Sequence, residues 1–573
     1  MGTSNPRRSS RLARVAAALL AVPLALTAGC ADTSPAAAER AAVVNGRVAL
    51  GDYARPVSTR SPEAHRHFDD GLRWLYAFNH DEAVRSFTRA AEADPDCAMA
   101  WWGIAICRGP HINNPAMDEA SSRQAWTALG RARAAAASAT PVEQGLIEAL
   151  SHRYADPDTT RPLPLDPVAR APLDRAYAQA MERLYARFPG DDDVATLTAE
   201  ALMDLRPWDL YDLDGTPRPE TPRIVATLEA VLARRPDHPG ANHYYIHAVE
   251  ASTTPQRADD AATRLRTLVP GSGHLVHMPA HIDVRLGRWN LAADQNERAM
   301  AVHRAYTRLS PRQGFYRAYM FHNQHFLAYA CMMAGRANDA IANARGMVAS
   351  IPAEFYDGFA PVVDAYAPIT VEALLRFGRW DDILREPEPR ADLPITRAFW
   401  RFARAVSLAA QGDAAAARAE QTRFRAAVAA VPSGAMMAIN PAHKVLSIAD
   451  RMLEGELRYR EGDTLGAVEH LRAAVAVEDT LLYMEPPDWV QPVRHALGAI
   501  LLDAGRAAEA ADVYREDLRR WPENGWSLHG LARCEQALGR TPQAEDLRRR
   551  FARAWSRADV ALETSCFCVA PRP

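Results

Sequence analysis

Histidines recur at fixed spacing in the middle of this chain, and imidazole is the commonest protein ligand for transition metals. His243 and His247 stand four residues apart, and so do His277 and His281, 34 residues further on. His325 follows, with His322 three before it, as His274 stands three before His277. On a helix, residues at i and i+4 share one face, with Cβ atoms about 5–6 Å apart. Neighbouring helices run roughly 8–10 Å apart, so two such pairs can converge on one ion at Zn–N distances of about 2.0–2.1 Å. His243, His247, His277, His281 and His325 are therefore the candidate metal ligands. His274, His322, Tyr329, Asp283 and Glu250 are candidates to line the same groove or to orient the rings from behind. An imidazole-rich, thiol-poor set suits Cu, Zn, Fe or Ni, with Cu or Zn the first choices outside the cytoplasm. Two other readings compete: a histidine-lined groove for an organic or peptide ligand, and histidines that merely pack between helices.

The elements that must position these rings are helices. Ala-rich segments of 10 to 15 residues alternate with short Gly, Asp or Pro breaks, and no convincing alternation of β-branched residues appears. The breaks are regular. Gly71, Trp74, Ala83, Phe87, Ala90 and Pro95 form one pattern, which Leu497, Gly498, Ala510, Tyr514 and Pro522 repeat, as do Gly455, Ala467, Leu471 and Ala474. Small residues let two antiparallel helices approach, an aromatic fills the gap, and the proline ends the second helix. A helix pair cannot bury its apolar faces alone, so neighbouring pairs must stack. Over most of residues 62 to 555 the chain resembles the tetratricopeptide-repeat superfamily. The resemblance implies an all-α superhelical solenoid of eight to twelve repeats of about 34 residues. Pro189 to Pro236 is too long for one repeat and implies an insertion at 207–222, with a second at 303–318.

In that register His243, His277 and His325 fall at position 5 of three successive repeats, and His247 and His281 at position 9. The resemblance implies that positions 2, 5, 9 and 12 line the concave groove, which in the superfamily captures peptides and other ligands. His495 also falls at position 5, much later in the chain. Glu485-Pro486-Pro487-Asp488-Trp489 before it reads either as a rigid loop over the groove or as a plain turn. Gly109 to Asn114 reads equally as a groove rim or an ordinary turn, and Asn79 as a helix cap.

The N-terminus reads as an export signal. Arg7, Arg8, Arg11 and Arg14 precede an apolar stretch, Val15 to Ala28, too short to span a bilayer. The stretch ends Leu26-Thr27-Ala28-Gly29-Cys30, which resembles a bacterial lipobox; the resemblance implies lipidation of Cys30 and a membrane-tethered, extracytoplasmic protein. The domain reading is then 1–29 signal, 30–60 tether, 61–355 a repeat array with the histidine-lined groove, 356–555 a second array, and 556–573 a tail. A formal net charge of −3 makes no case for nucleic acid, and the membrane is met only through the lipid. Seven cysteines are too few for a disulfide scaffold. Cys566 and Cys568 in the tail are possible soft ligands, with idle terminal thiols as the bland reading.

There is no Gly-rich phosphate loop, no His-Glu-x-x-His and no Gly-x-Ser-x-Gly. The sequence thus predicts an exported binding protein with a polyhistidine site for a transition metal or a metal-dependent ligand. A hydrolytic or copper redox metalloenzyme using the same histidines is the first alternative. A metal-free scaffold for a protein or peptide partner is the second.

Overall fold

Helix pairs begin where the sequence places caps. In the computed structural model, which describes residues 34–311, 313–567 and 569, the Ser61 side chain caps Pro62–Tyr76 and Asn79 caps His80–Ala93. These helices and Ala98–Cys107 close around one ring. Gly71 and Gly103 lie so near Phe87 that a Cβ on either would collide with it. Gly498 and Gly530 enclose Tyr514 in the same way. Each ring is fully buried, worth about 1.5–3 kcal/mol relative to exposure. The described chain is an all-α solenoid of stacked antiparallel helix pairs. Named strands among the described residues are confined to two short hairpins, Val43–Val44 with Arg47–Val48 and Met436–Met437 with Asn440–Pro441.

Two large apolar cores run through the array. One draws on residues from Leu50 to Tyr319 and the other on residues from Ala280 to Val569. They meet at the helices Gly273–His277, Pro279–Arg285 and Tyr316–Met333. Met278, Ile282 and Tyr319 enter the first core, while Ala280, Val284 and Phe326 enter the second. His274, His277, His281 and His322 sit on this seam.

Both ends of the array return to the seam. From the first repeat, Asn79 Nδ2 donates to Tyr306 Oη (2.9 Å), and Gly240 abuts the Tyr76 ring. From the last repeats, Trp526 Nε1 donates to the Met332 carbonyl (3.0 Å) and Trp289 Nε1 to the Pro522 carbonyl (2.9 Å). Asp559 accepts the otherwise unpaired N–H groups of Ala337 and Asn338 at a helix start (2.6 and 2.9 Å).

Two segments differ from the sequence reading. Residues 34–60 do not run free as a tether. Helix Pro35–Ala42 buries Ala38 and Ala42 against Val276, Ala299 and Val302, and Arg55 pairs with Asp191 and Asp193 (2.8 and 2.7 Å). Residues 303–309 are not inserted loop but continue the Trp289–Leu309 helix, because Tyr306 and His303 have buried partners there. Gly358–Arg376 is apolar and long enough to cross a membrane by composition, yet Ile369, Ala373 and Leu374 are wholly buried in the second core. Cys30, the leader before it and Cys568 lie outside the described residues.

Candidate metal centre

His277 and His281 are brought together by a break in their helix. Pro279 has no N–H, a new helix starts there, and His281 N donates to Met278 O three residues back (3.2 Å). The tightened turn sets His277 Nε2 2.9 Å from His281 Nε2. His322, on the Tyr316–Met333 helix, places its own Nε2 3.1 Å from the same His277 atom. The His277 tautomer follows from its other side. Asn296 Nδ2 donates to Ala292 O (2.8 Å), so Asn296 Oδ1 faces the ring and accepts the His277 Nδ1–H (2.6 Å). His277 Nε2 is therefore a lone pair. One lone pair accepts one proton well, yet two further ring nitrogens face it at hydrogen-bonding distance.

Carboxylates stand behind His281. Its Nδ1 lies 2.5 Å from Glu250 Oε2 and 3.4 Å from Glu485 Oε2; the nearer contact is an ion pair angled off the hydrogen-bond line. Burial opposes a charged ring, but the two carboxylates outweigh it and push the His281 pKa up to about 10. Burial also opposes a charged Glu250, yet His281 and His247 hold its carboxyl down to about 2. For Glu485 burial prevails and raises the pKa. A carboxylate at Nδ1 is the arrangement that orients a metal-bound histidine and makes its Nε2 more basic.

A second set lies beside the first. His243 and His247 come from the helix Pro239–Val249 and His274 from Gly273–His277. His243 Nδ1–H donates to the Tyr76 carbonyl (2.7 Å), leaving Nε2 as a lone pair 3.2 Å from His274 Nε2. His247 Nδ1–H donates to Glu250 Oε1 (2.8 Å). Its Nε2 is buried with no protein partner, as is His274 Nδ1. In each set one nitrogen per ring lies within 4.8 Å of the other two. Burial first, and the neighbouring imidazoles second, hold His243, His274, His277 and His322 well below the ordinary histidine value. They are neutral, the form that ligates.

Two strained aromatics close over these rings. Phe78 and Trp208 both adopt the left-handed backbone region (φ 54° and 62°), which costs about 1–2 kcal/mol for a residue with a side chain. Phe78 packs on His243 with centroids 4.5 Å apart, and Trp208 on His247 at 5.3 Å. Trp208 Nε1 donates to Asn113 Oδ1 (3.0 Å), and Asn113 Nδ2 donates to Tyr319 Oη (3.3 Å). The Tyr319 ring in turn covers His274 at 4.3 Å. Strain of this kind gathers at functional sites, where surrounding contacts offset its cost. Beneath Trp208, a pocket lined by Ile112, Met203, Leu210 and Tyr483 reaches His247 and Glu250.

Of the candidate ligands, His243, His247, His277 and His281 lie together and His325 does not. Three residues along a helix turn the side chain by about 300°; His322 faces His277, and the His325 ring lies against Tyr366 (5.3 Å). His274 and His322, taken from the sequence as groove lining, supply nitrogens to the two sets. Glu250 stands behind the rings. Asp283 instead pairs with Arg266 and Arg288 (2.8 and 2.9 Å), and Tyr329 packs on Trp289 and Trp521. Cys566 is disulfide-bonded and offers no thiolate. Of the six histidines in the two sets, five are buried and His322 is partly exposed. Glu485, Asn296, Phe78 and Trp208 were not singled out as site residues. Only the rigid Glu485-Pro486-Pro487 string hinted at the first of them.

No family model matches this chain, and no curated protein matches it. Solved structures that align with it include a human IFIT1 dimer with m7Gppp-AAAA, at 11% identity and a TM-score of 0.30 over 86% of this chain and 90% of that one. Another is the APC/C hetero-tetramer Cut9–Hcn1, at 12% identity and a TM-score of 0.27 over 87% and 88% of the two chains. These likenesses carry nothing about ligand or chemistry.

Proposed function

We propose that this protein is a metalloenzyme whose transition ion is held by His277, His281 and His322. The observation that carries this reading is the meeting of three Nε2 atoms, at 2.9 and 3.1 Å from one another's common neighbour, around a His277 lone pair that can take only one proton. A cation replaces the proton and satisfies all three. Imidazole ligands without thiolate fit Cu or Zn, and the ion would displace the proton that Glu250 and Glu485 otherwise hold on His281. Three protein ligands leave a coordination position open, which is the arrangement of catalytic rather than structural sites. The bound ion would supply Lewis acidity, or redox capacity if copper. Asn296 and Glu250 hold the rings in their ligating orientation, and Glu485 is a buried carboxyl placed to hold or release a proton beside His281.

Burial favours an enzyme over a carrier. A carrier must release its ion, whereas these rings lie under Phe78, Trp208 and Tyr319. The same closure disfavours a peptide in the groove at this point. The lipobox-like leader supports a protein outside the cytoplasm with a lipid on Cys30; a Cys30→Ser variant found still in the membrane fraction overturns that anchor.

Elemental analysis of protein purified from its native envelope tests the centre, beside a His277→Ala/His281→Ala variant whose helical circular dichroism matches the parent. The parent should carry at least one equivalent of Cu or Zn more than the variant. Equal metal content in the two ends the proposal.

A further inference from the structure

We infer that a second transition ion binds at His243, His247 and His274, so that the centre is dinuclear, with Glu250 as the shared carboxylate. The inference rests on the metal reading above and goes beyond it. Two rings of this second set present lone pairs. His243 and His247 have their Nδ1 protons committed, to the Tyr76 carbonyl and to Glu250, so both present Nε2 lone pairs. The His247 lone pair is buried and has no protein partner, a loss of about 1–3 kcal/mol when nothing replaces water. His243 and His274 hold their Nε2 atoms 3.2 Å apart. Two nitrogens at that separation and about 2.0–2.1 Å from one ion subtend roughly 100° there, near the tetrahedral angle.

Glu250 joins the sets. Its Oε1 accepts from His247 of the second set, and its Oε2 contacts His281 of the first. One carboxylate thus fixes a ring in each. The sets are neighbours, with His247 and His281 centroids 5.7 Å apart and His274 and His277 centroids 6.2 Å apart. Oxygen donors stand beside the centre as well: Glu250 and Glu485 are both buried within 4.8 Å of His281. The pocket under Trp208 opens on His247 and Glu250, so the second ion, not the first, is the one nearer to an entering substrate.

The test is a count. Full-length protein stripped with chelator is loaded with Cu(II) alone, desalted and assayed for metal and by electron paramagnetic resonance. Two equivalents with a signal weakened by spin coupling support the dinuclear centre. His243→Gln/His274→Gln, and separately His277→Gln/His322→Gln, should each hold one equivalent and recover a full mononuclear signal. One equivalent in the parent, unchanged in His243→Gln/His274→Gln, overturns the second ion and leaves the first in place. No retained copper overturns both. Glutamine keeps the polar volume; if that pair still unfolds, the parent's stoichiometry and signal decide by themselves.

Discussion

His277 and His495 both occupy the fifth position of a repeat's first helix, and both are fully buried, yet their nitrogens are spent differently. At His495 every ring nitrogen has a protein partner. Arg376 donates to Nδ1 (2.9 Å), Nε2–H donates to Asp517 (2.9 Å), and the Arg376 guanidinium rests on the Trp526 ring. Asn524 and Ser527 bond the same Asp517 carboxylate. Both His495 nitrogens are thus satisfied without a ligand, although Arg376 Nε and Nη1 and Asp517 Oδ1 behind them have no hydrogen-bond partner. At His277 one nitrogen is committed and the other faces two more imidazoles. Register and burial are therefore not what make a histidine a ligand. What matters is whether the protein itself supplies the last hydrogen-bond partner.

The comparison can be broken in order of expected effect. Metal content should separate the two histidines completely: His277→Ala/His281→Ala loses the first ion, and His495→Ala retains everything the parent holds. Because an ion bound only by the folded state stabilises it, chelation should also lower the parent's stability by about 4 kcal/mol if metal had been present at about 1,000 times Kd. Chelation should leave the stability of His277→Ala/His281→Ala less changed.

Asp517→Ala is expected to behave in the opposite sense. Removing one member of the buried His495–Asp517–Arg376 network strands a guanidinium and should cost about 3–5 kcal/mol in urea unfolding. Metal stoichiometry of the folded fraction should not move; if it falls, the two regions are coupled and the contrast fails.

Glu250→Gln is the milder counterpart at the metal centre. It keeps the shape and removes the charge behind His247 and His281, and affinity measured by competition with a chelator should fall about 10–100-fold. Unchanged affinity would mean the carboxylate orients nothing.

His495 also sets a pH dependence. Burial holds its pKa below the ordinary value, with Asp517 only partly opposing. The unfolded chain therefore takes up the proton first, and stability falls as pH drops below about 6.5. His495→Gln should remove up to about 1.4 kcal/mol per pH unit from that slope in metal-free protein. The smallest effect is expected at the lid. Trp208→Phe keeps the ring on His247 and loses only the hydrogen bond to Asn113, about 0.5–1.5 kcal/mol, read as a lowered melting temperature with unchanged metal.

By itself the sequence determined the all-α repeat architecture, because Gly71, Phe87 and Gly103, or Gly498, Tyr514 and Gly530, are local in the chain and their spacing alone dictates how three helices close. It also placed His243, His247, His277 and His281 in one neighbourhood, since a repeat interval carries a face from one helix to the next. Only the tertiary structure decided the rest. The Pro279 break turned two stacked rings into a convergent pair, and helix rotation chose His322 over His325. Phe78, Trp208, Asn296 and Glu485 lie up to hundreds of residues from the rings they touch. They meet because both ends of the array fold back on its central helices, and that return depends on the sum of many apolar contacts, which no local spacing encodes.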